Sequence, residues 1–177
     1  MRSSPRVSRA AILLSTLAAC GCAGAPSAER PDPGLPTAPT ASKGVAADAA
    51  AAGWGTARLP DGHSVVLELA VTAEAQARGY MFRERVGDDE GMLFVYDRDD
   101  LRGFWMKNCR VPLDIIWLDA AGRVVEVAAD RPPCPEEGAC PSVSSSSPAR
   151  FVLELAAGQA AAHGVRPGAR VALLFGE

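Results

Sequence analysis

The sequence predicts a mostly-β domain, a single compact sandwich or barrel-like structure of short strands with two short helices. Apolar, β-prone runs recur at short and regular intervals between residues 54 and 177, and turn sequences separate them. Only two segments carry helix signals, and both are short. The chain has 177 residues, enough for one domain of ordinary size with an appendage.

The first predicted elements are a hairpin and a short helix. Residues 56–59 and 64–71 are β-prone and flank Pro60-Asp61-Gly62-His63, which is a turn sequence. Thr72 is a suitable N-cap for a helix, because its hydroxyl can accept a hydrogen bond from the first turn. Gly79 is a suitable end for the same helix, since glycine adopts the backbone conformation of a helix stop.

The sequence in the middle of the domain predicts a central hairpin. Residues 91–96 predict a buried strand, followed by a turn of charged residues at 97–100, and residues 104–107 predict the end of another strand. Residues 113–118 and 123–128 form the strongest hairpin. Both faces of its first strand are largely apolar, which predicts a central place in the sheet.

The last third of the chain begins with a long, proline-rich loop at residues 130–148. Residues 150–155 then predict a strand, and residues 156–163 a short helix that a glycine ends. The sequence at 166–169 fits a type II turn, with proline and glycine at the positions that this turn requires. A strand at residues 171–175 closes the domain.

The N-terminus predicts a bacterial lipoprotein signal peptide over residues 1–19. Three arginines in the first nine residues precede the apolar run at 10–17, which is too short to span a bilayer as a helix. Leu17-Ala18-Ala19-Cys20 then resembles a lipobox, in which the cysteine is lipidated and becomes the mature N-terminus. We therefore expect Cys20 to be the lipid-anchored residue.

The anchor predicts where the protein resides and how it is organised. Gly21 follows the cysteine, so in a bacterium with two membranes we expect the outer membrane, with the protein facing the periplasm. Residues 20–53 comprise the lipidated cysteine and a disordered tether rich in alanine and proline, because they contain too few large apolar residues to form a core. Residues 54–177 form the folded domain. This compartment is oxidising and permits disulfides.

The net charge is −3 and the pI about 5.5, which argues against nucleic acid as a partner, because phosphate binding needs a basic surface. We expect a monomer whose partners are the membrane, through the lipid anchor, and an envelope glycan or other small molecule. Glycine-rich phosphate loops, the G-x-S-x-G elbow and the H-E-x-x-H metal motif are absent from the sequence. No cofactor is therefore predicted.

Three cysteines lie in the predicted domain. Cys134 and Cys140 enclose five residues, and in an oxidising compartment this spacing favours a disulfide over a metal or redox pair. Cys109 is left over. It can be a nucleophile or soft-metal ligand, or simply a small, half-buried apolar residue, and no histidine adjoins it in sequence to act as a base.

Several ordered motifs carry a family resemblance. The segments 77–84, 91–96, 104–108 and 112–117, continued by residues 151–158, resemble the domain-of-unknown-function family 192, also called the UPF0127 family. The resemblance covers essentially all of the predicted domain. It implies a compact, mostly-β domain, often exported, with no established activity and no catalytic residues to carry over. Cys109 departs from the family, which usually has threonine after the Lys-Asn pair.

A group of polar and aromatic residues within the apolar motifs forms the candidate site, because a charge placed there must be paired or face a cleft. One interpretation is structural, with Asp114 paired to Arg78 or Lys107 as an internal brace. The other is a pocket for a glycan, a peptidoglycan fragment or a small anion. The candidate ligand-binding residues are Arg78, Tyr80, Trp105, Lys107, Asn108 and Asp114.

The leading hypothesis is a cell-envelope lipoprotein with a non-catalytic ligand-binding or envelope-support role. The first alternative is a hydrolase of envelope polymers that uses paired carboxylates. Its candidate groups are Glu84, Glu90, Asp97, Asp99 and Asp100. The second alternative is a Cu(I)-binding protein, because thioethers and a thiolate suit that ion. Its candidate ligands are Met81, Met92, Met106 and Cys109.

Overall fold

The computed structural model describes residues 53–175, so the predicted signal peptide, Cys20 and the tether lie outside the described residues. The prediction of a mostly-β domain with two short helices is confirmed. The elements in chain order are β1 (Trp54–Arg58), β2 (Ser64–Ala70), α1 (Ala73–Arg78), β3 (Glu90–Asp100), β4 (Gly103–Phe104), β5 (Leu113–Leu118), β6 (Val124–Arg131), β7 (Val143–Ser144), β8 (Ala149–Ala156), α2 (Gln159–Ala162) and β9 (Ala172–Phe175).

Seven of the strands form one mixed sheet in the order β6-β5-β8-β3-β2-β1-β9, while β4 and β7 pair separately. The strands β2 and β3 are parallel, and α1 lies in the connection between them, as a parallel pair requires a crossover. The sheet is not closed into a barrel. An isolated bridge between Arg123 and Arg170 nevertheless joins its two ends at one corner.

Both faces of the sheet are covered by apolar side chains. All six residues of β5 are buried, which confirms its predicted central place. On the neighbouring strands the side chains alternate, so that Leu93 and Leu153 pack in a first core, together with residues of α2 and β9. Met92 and Val152, one position away, pack in a second core on the opposite face. The segments after α1 and after β4 cover this second core.

Local signals in the sequence place the first elements correctly. The strands β1 and β2 form the predicted hairpin. The Thr72 hydroxyl accepts a hydrogen bond from the Ala75 N–H at 3.2 Å, and Gly79 ends α1 with φ at +47°. Cys134 and Cys140 are joined by the predicted disulfide. Between residues 53 and 175, no helix is long and apolar enough to cross a membrane.

Three local predictions are wrong. The segment 130–148, predicted as a loop, contains the end of β6 and the strand β7. Residues 97–100 are not a turn but the continuation of β3, which pairs with β8 again at Asp100 after a register shift. The charged side chains there are exposed and need no turn, and Asp99 accepts a hydrogen bond from Arg150 at 2.7 Å. The strand predicted at 104–107 ends at Phe104, because the next residues turn back over the second core.

At the corner where the two ends of the sheet meet, we predict that a glycine substitution lowers stability more than a substitution of a glycine elsewhere. A Cβ atom at Gly122 would lie 2.4 Å from the Val171 carbonyl oxygen, whereas nothing lies within 4 Å of one at Gly62. Both glycines have positive φ. We expect Gly122→Ala to lower the free energy of unfolding by roughly 3 kcal/mol and Gly62→Ala by about 1 kcal/mol, measured by urea denaturation. Equal losses would contradict the close approach at this corner.

Candidate ligand-binding pocket

A buried glutamate lies in the middle of the sheet. Glu154, on β8, is in register with Met92 on one side and Ile115 on the other, and it is 4% exposed. Its Oε2 atom has no hydrogen-bond partner among residues 53–175. Leaving a buried polar atom unpaired costs free energy, so such a group is a marker of functional sites.

Burial determines the charge of this carboxyl group. Removal from water disfavours the carboxylate and raises the pKa of Glu154 from 4.5 to about 8. At neutral pH the side chain is therefore mostly a neutral carboxylic acid. In that form it can donate a hydrogen bond, which a carboxylate cannot do.

A small pocket of about 30 Å³ lies over Glu154. Its wall is formed by the end of α1, by the loop that follows α1 and by the loop that follows β4. A space of this size admits a group of one or two water-sized units. The residues that line it include Arg78, Gly79, Tyr80, Trp105, Lys107, Cys109 and Glu154, together with Gln76, Phe94 and Phe104.

The first loop depends on Gly79. Its φ of +47° lies in the region that residues with a side chain rarely adopt. A Cβ atom at this position would lie 3.3 Å from Cζ of Phe94 and 3.8 Å from Oε2 of Glu154. Glycine therefore both ends the helix and leaves space in front of the buried carboxyl group.

The two loops are joined through strained backbone. The Phe82 N–H donates a hydrogen bond to the Asn108 carbonyl oxygen at 2.8 Å. Both residues have positive φ, +66° for Phe82 and +58° for Asn108. Asparagine tolerates this conformation, but for phenylalanine it is an outlier that costs on the order of 1–3 kcal/mol. Strain of this kind concentrates at binding sites, and here the hydrogen bond between the two strained residues joins the walls of the pocket.

The rim of the pocket is cationic and aromatic. Trp105 is 47% exposed, and Nζ of Lys107 lies 5.1 Å from the centre of its ring, within reach of a cation–π interaction. Arg78, at the end of α1, is also exposed. Within the described part of the chain, neither Arg78 nor Lys107 forms an ion pair. The pocket thus combines a neutral acid at its floor with two unpaired positive charges at its edge.

A larger cleft adjoins the pocket. Its volume is about 320 Å³, and it shares Arg78 and Gly79 with the pocket. Glu68 and Arg83 also line it, and they form an ion pair with each other. A ligand that places one small group over Glu154 can therefore extend along this cleft.

Five of the six predicted site residues lie at the two loops or at the helix end beside them. Arg78, Tyr80, Trp105 and Lys107 all line the pocket. Asn108 does not line it but joins the loops, and its side-chain amide lies 3.6 Å from the Met81 sulfur.

Asp114, the sixth predicted site residue, does not line the pocket. The side chain is completely buried, and its two oxygens accept hydrogen bonds at 2.8 Å from the backbone N–H groups of Asp130 and Ala160. It pairs with neither Arg78 nor Lys107, the partners expected from the sequence. Two fixed backbone donors satisfy the carboxylate, so Asp114 is an internal brace that ties β5 to the end of β6 and to α2.

The thiol and thioether groups have structural surroundings. Met92 and Met106 are buried in the second core, and Cys109 packs against it. Burial, with a smaller effect of the nearby Glu154, raises the pKa of the Cys109 thiol to about 11. The thiol is thus protonated at neutral pH, whereas a metal ligand or nucleophile must be a thiolate. No group of three or more His, Cys, Asp or Glu side chains within residues 53–175 is placed to hold a metal ion.

The acidic residues proposed for hydrolysis lie elsewhere. Glu84 pairs with Arg110, and Asp99 with Arg150. Among the described residues that line the pocket, Glu154 is the only one with a carboxyl group. A pair of carboxyl groups facing one another is therefore not formed there.

Glu154 is the functional candidate that the sequence-based prediction did not single out. It stands alone as an acid in the run Phe151-Val152-Leu153-Glu154-Leu155, within a predicted strand. A strand with apolar residues on both faces is buried on both, so an acid within it is necessarily buried. That pattern was sufficient to find the residue, although not to place the two loops above it.

The comparisons with known proteins agree with the fold. A family model named DUF192, described as "Uncharacterized ACR", matches residues 56–173. A crystal structure from Novosphingobium aromaticivorans, of a protein of unknown function, is 39% identical, with 67% of this chain and 82% of that chain covered and a TM-score of 0.59. A second, from Sinorhizobium meliloti and described provisionally as a transcription regulator, is 31% identical, covering 67% and 92%, with a TM-score of 0.61. No curated protein matches this chain.

The raised pKa of Glu154 predicts how stability depends on pH. Between pH 4.5 and about 8 the unfolded chain loses a proton that the folded protein keeps, so the free energy of unfolding falls as the pH rises through this range. Glu154→Gln removes the ionisable group. We expect the variant to gain roughly 3 kcal/mol relative to the wild type between pH 5 and pH 8, measured by urea denaturation at both values. A difference between the two proteins that does not change with pH would contradict the assignment.

Proposed function

The chain belongs to the DUF192 family, and we propose that its domain is a non-catalytic binding module whose site is the pocket over Glu154. The family and the solved relatives assign no ligand. The proposal therefore rests on the chemistry of the pocket itself.

One observation carries the proposal, the unpartnered and buried carboxyl group of Glu154 facing a pocket. The protein contains a second buried acid, Asp114, and satisfies it completely with two backbone donors. The same chain leaves Oε2 of Glu154 without a partner among its described residues. A binding site keeps such a group free because the ligand satisfies it.

The lining of the pocket indicates the kind of ligand. Trp105 offers an exposed aromatic face, on which a sugar ring or another flat apolar surface can pack. The protonated Glu154 offers a hydrogen-bond donor, and Arg78 and Lys107 offer positive charges. A glycan, a peptidoglycan fragment or a small organic anion fits this combination.

The alternative of a hydrolase has one supporting feature. A buried carboxylic acid with a pKa of about 8 resembles the general acid of glycosidases. These enzymes require a second carboxyl group close to the first, as nucleophile or base. None lines the pocket within the described residues, so binding without catalysis is the better supported function.

We also propose that the protein is anchored in the cell envelope through Cys20. The support is the ordered signal of basic, apolar and lipobox residues at the N-terminus. Two or three acyl chains give a stable anchor, whereas a single chain gives reversible binding. Intact-mass analysis of the protein from membranes tests this proposal. A mature chain that begins with a diacylglyceryl cysteine is expected, and an unmodified N-terminus would contradict it.

Trp105 supplies the test of the binding function. Envelope glycans, peptidoglycan fragments and small organic anions are added to the full-length protein, and thermal unfolding is followed. A ligand present at one hundred times its Kd stabilises the fold by about 2.7 kcal/mol. We expect Trp105→Ala to abolish the ligand-induced shift in Tm while leaving the unliganded Tm within a few degrees of the wild type.

Trp54→Ala is the matched control for this experiment, because Trp54 is 60% exposed and does not line the pocket. Its ligand-induced shift is expected to equal that of the wild type. The proposal fails if no member of the panel stabilises the wild type, or if both tryptophan variants lose the shift to the same extent.

A further inference from the structure

We propose that the pocket receives the carboxylate of an anionic ligand, with the carboxylic acid of Glu154 as its hydrogen-bond donor and with Arg78 and Lys107 as its charge partners. This inference rests on the binding function proposed above. It goes further by naming the chemical group that enters the pocket and by linking its binding to a single proton.

The size of the pocket restricts the group that enters it. A space of about 30 Å³ admits a carboxylate or a hydroxymethyl group, but not a sugar ring or an aromatic ring. The main part of the ligand therefore lies outside, on the exposed face of Trp105 or in the cleft of about 320 Å³ that shares Arg78 and Gly79. The site thus recognises one small terminal group of a larger molecule.

The charges at the rim select an anion. Arg78 and Lys107 both line the pocket, and neither has an ion-pair partner in the part of the chain that the structure describes. Two unpaired cations attract a carboxylate and repel an ammonium group. The guanidinium of Arg78 can also bind a carboxylate with two hydrogen bonds.

The floor of the pocket supplies the complementary donor. A neutral carboxylic acid donates its proton to a carboxylate in a short, strong O–H···O⁻ hydrogen bond. Two carboxyl groups in contact bind one proton between them, because both cannot ionise at such a short distance. The ligand would satisfy the buried Glu154 side chain, which has an unpartnered oxygen in the unliganded chain.

Glu154 is the group of the pocket that we expect to titrate between pH 7 and pH 9. The groups with which it interacts are Tyr80 and Cys109 in the two loops and Tyr96 on β3, and burial raises the pKa of all three. Their raised pKa values keep these three groups protonated where Glu154 titrates. The pKa of Glu154 is about 8, so raising the pH from 7 to 9 removes the donor and places a negative charge on the floor of the pocket.

A matched pair of sugars tests the inference with the full-length protein in detergent. N-acetylmuramic acid carries a carboxylate on a lactyl group that N-acetylglucosamine lacks, and the two are otherwise alike. Glucosamine, with an ammonium group, is the opposite-charge probe. Isothermal titration calorimetry gives the Kd of the two N-acetylated sugars at pH 7 and pH 9, and the Kd of glucosamine at pH 7, where its amine is largely protonated.

We expect N-acetylmuramic acid to bind more tightly than either other sugar at pH 7, and its Kd to rise about tenfold at pH 9, as the protonated fraction of Glu154 falls. Titrations at pH 9 in buffers of different ionisation enthalpy should show uptake of about one proton per ligand bound. In Glu154→Gln the pH dependence of Kd and the proton uptake are both expected to disappear. If this variant does not bind, the inference is tested by the wild-type protein alone, through the dependence of its Kd on pH and its proton uptake on binding.

The rim charges are tested separately. Lys107→Met and Arg78→Met should each raise the Kd for N-acetylmuramic acid at least about fivefold, as expected for the loss of a charge partner. Arg166→Met is the control, because Arg166 is exposed in the turn before β9 and does not line the pocket. Its Kd is expected to equal that of the wild type.

The possible failures are distinguishable. Equal affinity for the acidic and neutral sugars, preference for glucosamine, or an affinity for N-acetylmuramic acid that is constant or rises toward pH 9, would overturn the carboxylate inference. The binding function would survive each of these results. If none of the glycans, peptidoglycan fragments and anions binds, the binding function itself fails, and this inference fails with it.

Discussion

The burial of one carboxyl group without a partner is the constraint around which this domain is arranged. Glu154 lies on an interior strand and is almost completely buried, and among the described residues no cationic side chain forms an ion pair with it. The fold tolerates it because the group remains protonated at neutral pH, at a cost in stability that grows as the pH rises toward 8. Asp114, the other buried acid of the same sheet, is satisfied differently, because its two side-chain oxygens accept hydrogen bonds from backbone N–H groups.

The pocket over Glu154 follows from the way the chain covers the second core. Two segments cross that face of the sheet, and the hydrogen bond from Phe82 to Asn108 joins them. Gly79 keeps a side chain out of the space that remains between them. The positive φ of Phe82 destabilises the backbone at this place. Such strain is expected where function requires a loop to hold one particular position.

The sequence was sufficient to predict the features that depend on residues close together in the chain. Turn residues and alternation predict the hairpins and the central place of β5, and the caps predict α1. The candidate site, in contrast, is formed by contacts between segments that are far apart in the sequence, and these contacts could not be predicted from local patterns. Asp114 is bonded to the N–H of Ala160, 46 positions away, so no local pattern distinguishes this brace from a ligand-binding residue. Glu154 was visible as an acid in an apolar strand, but the loops that make it a site are placed only by the fold.

The central claim is that Glu154 is a neutral acid in the folded protein. Carbon-13 NMR of the side-chain carboxyl carbon, assigned with the Glu154→Gln variant, measures its titration directly. We predict a midpoint near pH 8. A midpoint between pH 4 and 5, the ordinary range for glutamate, would show a charged and solvated group and would contradict the account.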